Sequence, residues 1–263
     1  MLRCPVCGNE LKQCDRVFRC DKGHSFDMAK EGYVNLLRAG KSGDLIGDDK
    51  FSARSRRDFL NKGYYASLQQ ELCRIFRDRQ GTVLDICCGE GYYTAAVGEN
   101  PNLQVYGFDI SREMVRLASK RGNGTYFVAN LASIPLADGS MDYALHLFAP
   151  FQERSFARVL KPGGRLLTVS PGRHHLWGLK QALYETPYEN DEKLPETEEL
   201  RLVSVHKVTH QIRLASQEDI QAVFRMTPYY FHTSAADKEK LLPLSQLDTP
   251  VEFLLAEYEK PEV

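Results

Sequence analysis

Apolar and polar positions change rhythm near residue 80. From there on, short apolar runs at 82–87, 104–109, 126–130, 142–147 and 165–170 alternate with stretches of helical spacing or with turns. Near-continuous apolar strands separated by helices predict an open parallel sheet with helices on both faces. Further along, 202–214 alternates as a strand, Ser216-Gln217-Glu218-Asp219 has the form of a capped helix start, and 249–258 supplies a seventh strand. Ahead of the sheet, 50–65 reads as a basic amphipathic helix ended by Gly63. Residues 67–79 read as a second helix with Leu68, Leu72, Ile75 and Phe76 on one face.

Composition narrows the class. With 43% hydrophobic and 26% charged residues in 263, the chain matches an ordinary globular enzyme and not a disordered or low-complexity protein. No apolar run approaches the roughly 20 residues that span a bilayer, and the first residues lack a signal-peptide core, so a soluble, cytoplasmic protein without a membrane partner is expected. The net charge of −1 hides an asymmetry: residues 1–80 hold 16 Lys and Arg against 11 Asp and Glu, and the remainder 18 against 24. A mildly basic front on an acidic body is a weak footprint for a polyanion. The segment 185–199, with seven acids and one lysine, reads as a solvated loop.

The seven cysteines are uneven: four fall in the first twenty residues, which favours metal ligation over a disulfide framework. Cys4-Pro5-Val6-Cys7, twelve intervening residues, then Cys20 and His24 form a Cys-x2-Cys-x12-Cys-x3-His spacing. Two short loops, each giving two ligands, suit one structural zinc ion with no open coordination position. Cys14 competes with Cys20 by type but has no partner two or three residues away. Leu11, Val17 and Phe18 suggest a short hairpin between the pairs. So short a stretch buries little, and metal binding would supply much of its folding free energy.

The first strand of the sheet runs into Cys88-Gly89-Glu90-Gly91-Tyr92-Tyr93-Thr94, a glycine loop that opens a helix. Dinucleotide sites also use such loops. Three features favour S-adenosylmethionine instead. Asp85 sits inside the strand before the loop, the glycine pattern is not Gly-x-Gly-x-x-Gly, and Asp109 ends the second strand about 20 residues on, placed for ribose hydroxyls. Asn130, at the end of the third strand, suits the adenine amino group.

Together these parts resemble the bacterial 23S ribosomal RNA guanine-N1 methyltransferases. The resemblance covers most of the chain. It rests on the Cys and His spacing, on the run from Phe26 to Leu36, on Phe59-Leu60 with Gly63 and Tyr65, on Asp85 through Thr94, on Ala149-Pro150, and on Pro171-Gly172 with His175-Leu176. One departure is Cys87, which stands where such enzymes usually have their first glycine.

The resemblance implies a Rossmann-like class I S-adenosylmethionine-dependent methyltransferase fold, with a seven-stranded mostly parallel sheet and a small N-terminal zinc-binding domain. It implies methyl transfer to N1 of one guanine in a hairpin loop of domain II of 23S rRNA, and one branch of the family contributes to macrolide resistance. By position it adds Tyr65, Gly89, Glu90 and His175 to the cofactor site, beside Asp85, Gly91, Asp109 and Asn130.

The chain then divides into a zinc-binding RNA-recognition domain at 1–37, a linker and basic helix at 38–66, and the methyltransferase domain at 67–263. RNA contacts are expected from Arg54, Arg56 and Arg57, with Phe148 or Phe151 stacking the target base. The catalytic residues are left unassigned, and a homodimer stays open. Two other readings use the same residues: a small-molecule or quinone-pathway methyltransferase, and a zinc-knuckle RNA-binding protein with a vestigial methyltransferase body.

Overall fold

The computed structural model describes residues 1–37 and 50–262, so the linker expected after Leu37 lies outside the described residues. Three short strands, β1 (Lys12–Cys14), β2 (Val17–Arg19) and β3 (Ser25–Asp27), pair antiparallel in chain order at the amino-terminal end. Then β4 (Val34–Asn35) leaves that small sheet and pairs parallel with the far edge of a larger one.

Helices α1 (Lys50–Asn61) and α2 (Ala66–Phe76) lead into that larger sheet. It continues as β5 (Gly81–Ile86), α3 (Tyr92–Val97), β6 (Leu103–Asp109), α4 (Arg112–Arg121), β7 (Thr125–Val128), β8 (Met141–Leu147), α5 (Glu153–Val159), β9 (Leu160–Pro171) and α6 (Trp177–Leu183). The last part is β10 (Arg201–Leu214), α7 (Gln217–Arg225), α8 (Ala235–Glu239) and β11 (Leu247–Glu259). Strand order is β10-β11-β9-β8-β5-β6-β7-β4, and β11 alone runs against the rest. All seven expected strands are present. The eighth, β4, comes from the run that follows His24.

Local chemistry explains the element ends. Ser111 caps α4 by accepting from the Met114 N–H (3.4 Å), and Ser216 caps α7 by accepting from Asp219 (3.2 Å). Helix α2 stops at Phe76, short of the predicted 79, because the Asn100 side-chain amide takes the carbonyls of Phe76, Arg77 and Arg79 at 2.8, 3.2 and 3.0 Å. Helix α1 ends at Asn61, ahead of Gly63, whose φ of 80° turns the chain.

Two hydrophobic clusters flank the sheet. Val83, Val105, Leu145 and Leu167 meet α1, α2, α6 and α7 on one face. On the other, Leu84, Ile86, Phe108 and Phe127 meet α5 and the apolar side chains of the amino-terminal module, Leu2, Leu11 and Phe18. The module is thus part of the same core.

Main-chain bonds stitch that seam: Arg3 N–H to the Pro135 carbonyl (2.8 Å) and Ala137 N–H to the Met1 carbonyl (3.0 Å), around a Leu2–Leu136 bridge. The run from Phe26 to Leu36 continues it. The buried Tyr33 hydroxyl accepts from Arg112 Nε (3.0 Å), and the Ser119 hydroxyl donates to the Glu31 carbonyl. Among the described residues, no helix is long and apolar enough to cross a membrane.

Candidate functional site

The four expected metal ligands stand on two tight turns. The Gly8 N–H closes one by donating to the Cys4 carbonyl (2.8 Å), and the Gly23 N–H closes the other on the Cys20 carbonyl (2.9 Å). Both glycines have positive φ, 76° and 82°, which side chains rarely adopt. The sulfurs of Cys4, Cys7 and Cys20 and a ring nitrogen of His24 then lie within 4.8 Å of one another. Individual spacings are 3.6 Å for Cys7–Cys20, 3.3 Å for Cys20–His24 Nδ1 and 3.6 Å for Cys4–His24 Nδ1. Zinc bonds of about 2.0–2.3 Å in a tetrahedron imply ligand edges of roughly 3.3–3.8 Å. Donor set and spacing therefore fit zinc. Cys14 is exposed and outside the cluster.

A cavity of about 270 Å³ opens at the carboxyl ends of β5, β6 and β8. This is where connections depart to either side of the central strand, the usual crevice of an open α/β sheet. Asp85, Glu90 and Asp109 line it together with Gly89, Ile110, Met114, and Arg56 and Leu60 of α1. Asp85 is buried, and its Oδ2 accepts from the Thr94 hydroxyl (2.5 Å). Burial pushes its pKa up to about 7; Thr94 opposes the shift and the neighbouring Asp109 adds to it.

Asp109 grips two backbone N–H groups, Gly89 through Oδ2 (3.0 Å) and Ser111 through Oδ1 (2.9 Å), so it ties the glycine loop to the end of β6. Gly91 turns that loop into α3 at φ 80°, and a Cβ there would stand 2.8 Å from the Ala118 side chain. Cys87 takes φ 58°. It therefore occupies the left-handed conformation that a glycine would adopt freely, at a cost of order 1–2 kcal/mol.

Glu90 is buried, and burial raises its pKa while Arg121 opposes the shift. Arg121 Nε donates to its Oε2 (2.5 Å), whereas Oε1 is buried with no hydrogen-bond partner. Three carboxylates and an orphaned acceptor fit a cationic guest carrying hydroxyl and ammonium donors. S-adenosylmethionine has both, with a positive sulfur besides.

A larger chamber of about 770 Å³ adjoins the first and shares Arg56, Phe148 and Ala149 with it. Tyr65 and His175 stand in this chamber, not in the smaller cavity. Tyr65 Oη and His175 Nε2 are 3.1 Å apart, and His175 Nδ1 meets the main chain of Glu252. Burial brings His175 down to about 4, so its ring is neutral in the working pH range.

Phe151 also lines the chamber, and Phe148 lines both spaces at φ 54° with 43% of its surface exposed. Asn130 lines neither; its side chain accepts from the Ala132 N–H (2.9 Å) and caps a 3-10 turn. Of the three helix arginines, Arg54 is exposed, Arg57 pairs with Asp58 at 3.0 Å, and Arg56 faces both cavities.

Beyond the helix start at Ser216, sequence reasoning assigned no site residue to the segment between β10 and β11. There Arg225, Tyr229 and Phe231 form a wall of the chamber. The run Pro228-Tyr229-Tyr230-Phe231 was the signal available for it.

Comparison with known proteins is consistent along the chain. A zinc-ribbon family model described as RlmA, N-terminal, matches residues 2–41, and a methyltransferase domain model matches 83–164. The 23S rRNA (guanine(748)-N(1))-methyltransferase of Streptomyces fradiae is 37% identical over 190 residues, covering 69% of this chain and 67% of the relative. Two further relatives are named as candidate 23S rRNA (guanine-N(1)-)-methyltransferases. The one from Micromonospora griseorubida is 31% identical and covers 89% of this chain and 88% of its own length. The one from Bacillus subtilis is 27% identical, with 94% and 92% covered.

Proposed function

Because this chain belongs to the 23S rRNA (guanine-N1)-methyltransferases, we propose that it methylates N1 of one guanine in a hairpin loop of domain II of 23S rRNA. The reaction takes place in the cytoplasm. S-adenosylmethionine supplies an electrophilic methyl group on a positively charged sulfur. The observation that carries the reading is the pair of joined spaces, an acid-walled cavity at the strand ends opening past Phe148 into a larger chamber.

In this reading Asp109 receives the ribose hydroxyls, and its grip on Gly89 keeps the loop in the shape that binding needs. Asp85 and Glu90 balance the positive charge, and Gly91 lets the loop pass close to α4. Tyr65 and His175 meet the methionine end from the chamber side, each fixed by the other. The acidic wall holds a positive sulfur more tightly than the neutral sulfur left after transfer, which favours release of the spent donor.

Guanine N1 carries a proton at neutral pH, and that proton must leave as the bond to carbon forms. No carboxylate is among the chamber's lining residues, so the N1 proton passes to solvent water, the methyl–sulfur bond breaks to leave the neutral thioether, and the rate is assigned chiefly to alignment of N1 with the methyl group. The four amino-terminal ligands hold one structural zinc ion, and the module they fold, with Arg54 and Arg57 on α1, steers the hairpin.

Mass mapping of ribosomal RNA from a strain lacking the protein, alongside transfer of labelled methyl by the purified protein, tests this. A single domain II guanine should lose its methyl group in the strain and regain it in the tube. Full methylation in the deletion strain, with no transfer by the protein, would sink the proposal.

A further inference from the structure

The geometry points to the chamber of about 770 Å³ as the pocket that receives the extruded guanosine nucleotide, with Arg225 and Phe231 of the β10–β11 insertion as its outer jaw. This rests on the reading above and adds a site to it. The two joined spaces differ in sign. The smaller one is lined by three carboxylates and Arg56, whereas the larger is lined by Arg56, Arg225 and Lys193, the last paired with Asp191 at 3.2 Å, and has no acid among its lining residues. A cationic donor therefore fits the first and an anionic nucleotide the second.

The chamber is also aromatic. Besides Tyr65, which meets the donor, Phe148, Phe151, Tyr229 and Phe231 line it, and Phe231, 77% exposed, is the most exposed large hydrophobic side chain among the described residues. Aromatic faces beside cations are how single-stranded nucleotides are held, by stacking of the base and pairing of the phosphate.

Two unpartnered polar atoms match a planar guest with hydrogen-bonding edges. Tyr229 Oη is buried without a partner, as is Nδ1 of His146, whose Nε2 meets the Pro150 carbonyl at 3.1 Å. Since a carbonyl can only accept, Nε2 carries the ring proton and Nδ1 keeps a lone pair. One donor and one acceptor thus sit behind the aromatic walls.

The insertion is anchored to the turn that follows α1. Lys62 Nζ and Tyr64 Oη hold the buried Asp219 at the start of α7, at 2.5 and 2.8 Å. Arg225, at the other end of α7, and Phe231 beyond it line the same chamber as Phe148. Extrusion costs little for a base already in a loop.

The test uses the full chain, S-adenosylmethionine and a synthetic hairpin of the domain II loop, with Arg225→Glu and Phe231→Ala, both surface changes. Cofactor affinity by calorimetry should stay within twofold for each variant. Methyl transfer should fall about five- to a hundredfold for Phe231→Ala, in the range of base stacking. Arg225→Glu should weaken hairpin binding and make the slope of log affinity against log salt shallower by about one. A hairpin with 2-aminopurine at the target position should change its fluorescence on binding, and the change should shrink in Phe148→Ala.

Normal transfer and normal salt slope in both surface variants, with wild-type protein active, would overturn the chamber while leaving the proposed function standing. No transfer by wild-type protein would instead count against the function itself. Loss of cofactor binding in the variants would show that the chamber belongs to the donor, and would also overturn the inference.

Discussion

The amino-terminal module and the sheet reach order by different physical routes. Across β1 to β3, one residue of the nine is buried, Phe18, and the four ligands do most of the holding. In β5 alone Val83, Leu84, Asp85 and Ile86 are all buried. Structural zinc supplies about 10–16 kcal/mol in small modules, whereas a sheet sums many contacts of ~1–3 kcal/mol each. The two routes meet in one cluster, where Leu2 and Phe18 pack with Phe108 and Leu136. The module is therefore metal-led in its folding and burial-led in its docking.

Removing the metal should have the largest effect. Cys20→Ser is expected to release zinc, measured by elemental analysis, and to lower the melting temperature by roughly 10 °C or more through loss of ligation free energy. If the sheet's near-ultraviolet circular dichroism also vanishes at 25 °C, the two regions form one cooperative unit and the contrast between them breaks.

On the sheet side, Asp85→Asn should stabilise the ligand-free protein. An acid whose folded pKa is about 7, against an ordinary value of 3.8, keeps its proton while the unfolded chain releases it. Folding stability is then lost as pH rises between those values, by up to about 4 kcal/mol. Asparagine should recover about 2–4 kcal/mol of that in denaturant titrations at pH 8, and weaken donor binding without abolishing it. No gain in stability would mean that Asp85 ionises without strain in the resting protein.

The seam is predicted to be worth a comparable amount. Leu136→Ala should cost about 3 kcal/mol, typical of a buried leucine, and should lower the transitions of module and sheet together. A loss confined to the module would separate them.

The smallest effect is on the pH dependence of donor affinity. A bound cation favours ionised Asp85, so below pH 7 binding must expel a proton. Affinity should weaken about tenfold from pH 8 to 6, and calorimetry of Asp85→Asn should show no such trend.

Legibility in the sequence followed locality. The ligand spacing, the glycine loop, Asp85 and Asp109 are each written within about twenty-five residues, and the structure gathers them as a short-range pattern would. Element ends were off where a distant side chain decides, as Asn100 does for helix α2. The chamber was not legible because its walls come from α1, the ends of β8 and β9, and the insertion after β10. The placement of Tyr65 with His175 likewise depends on a pairing 110 residues apart. Nor did periodicity reveal β4, a two-residue strand that pairs only because the run after His24 is pinned to α4 by Tyr33 and Glu31.

The bridge between Leu2 and Leu136 has a consequence for biosynthesis. A nascent chain extends at about 5–20 residues per second, so the first of these leucines waits on the order of ten seconds for the second to leave the translating ribosome. During that interval only the ion can keep the early segment folded and its greasy underside from finding other company. Scarcity of zinc would then be felt first as misassembly of newborn chains, well before any finished molecule surrendered its metal.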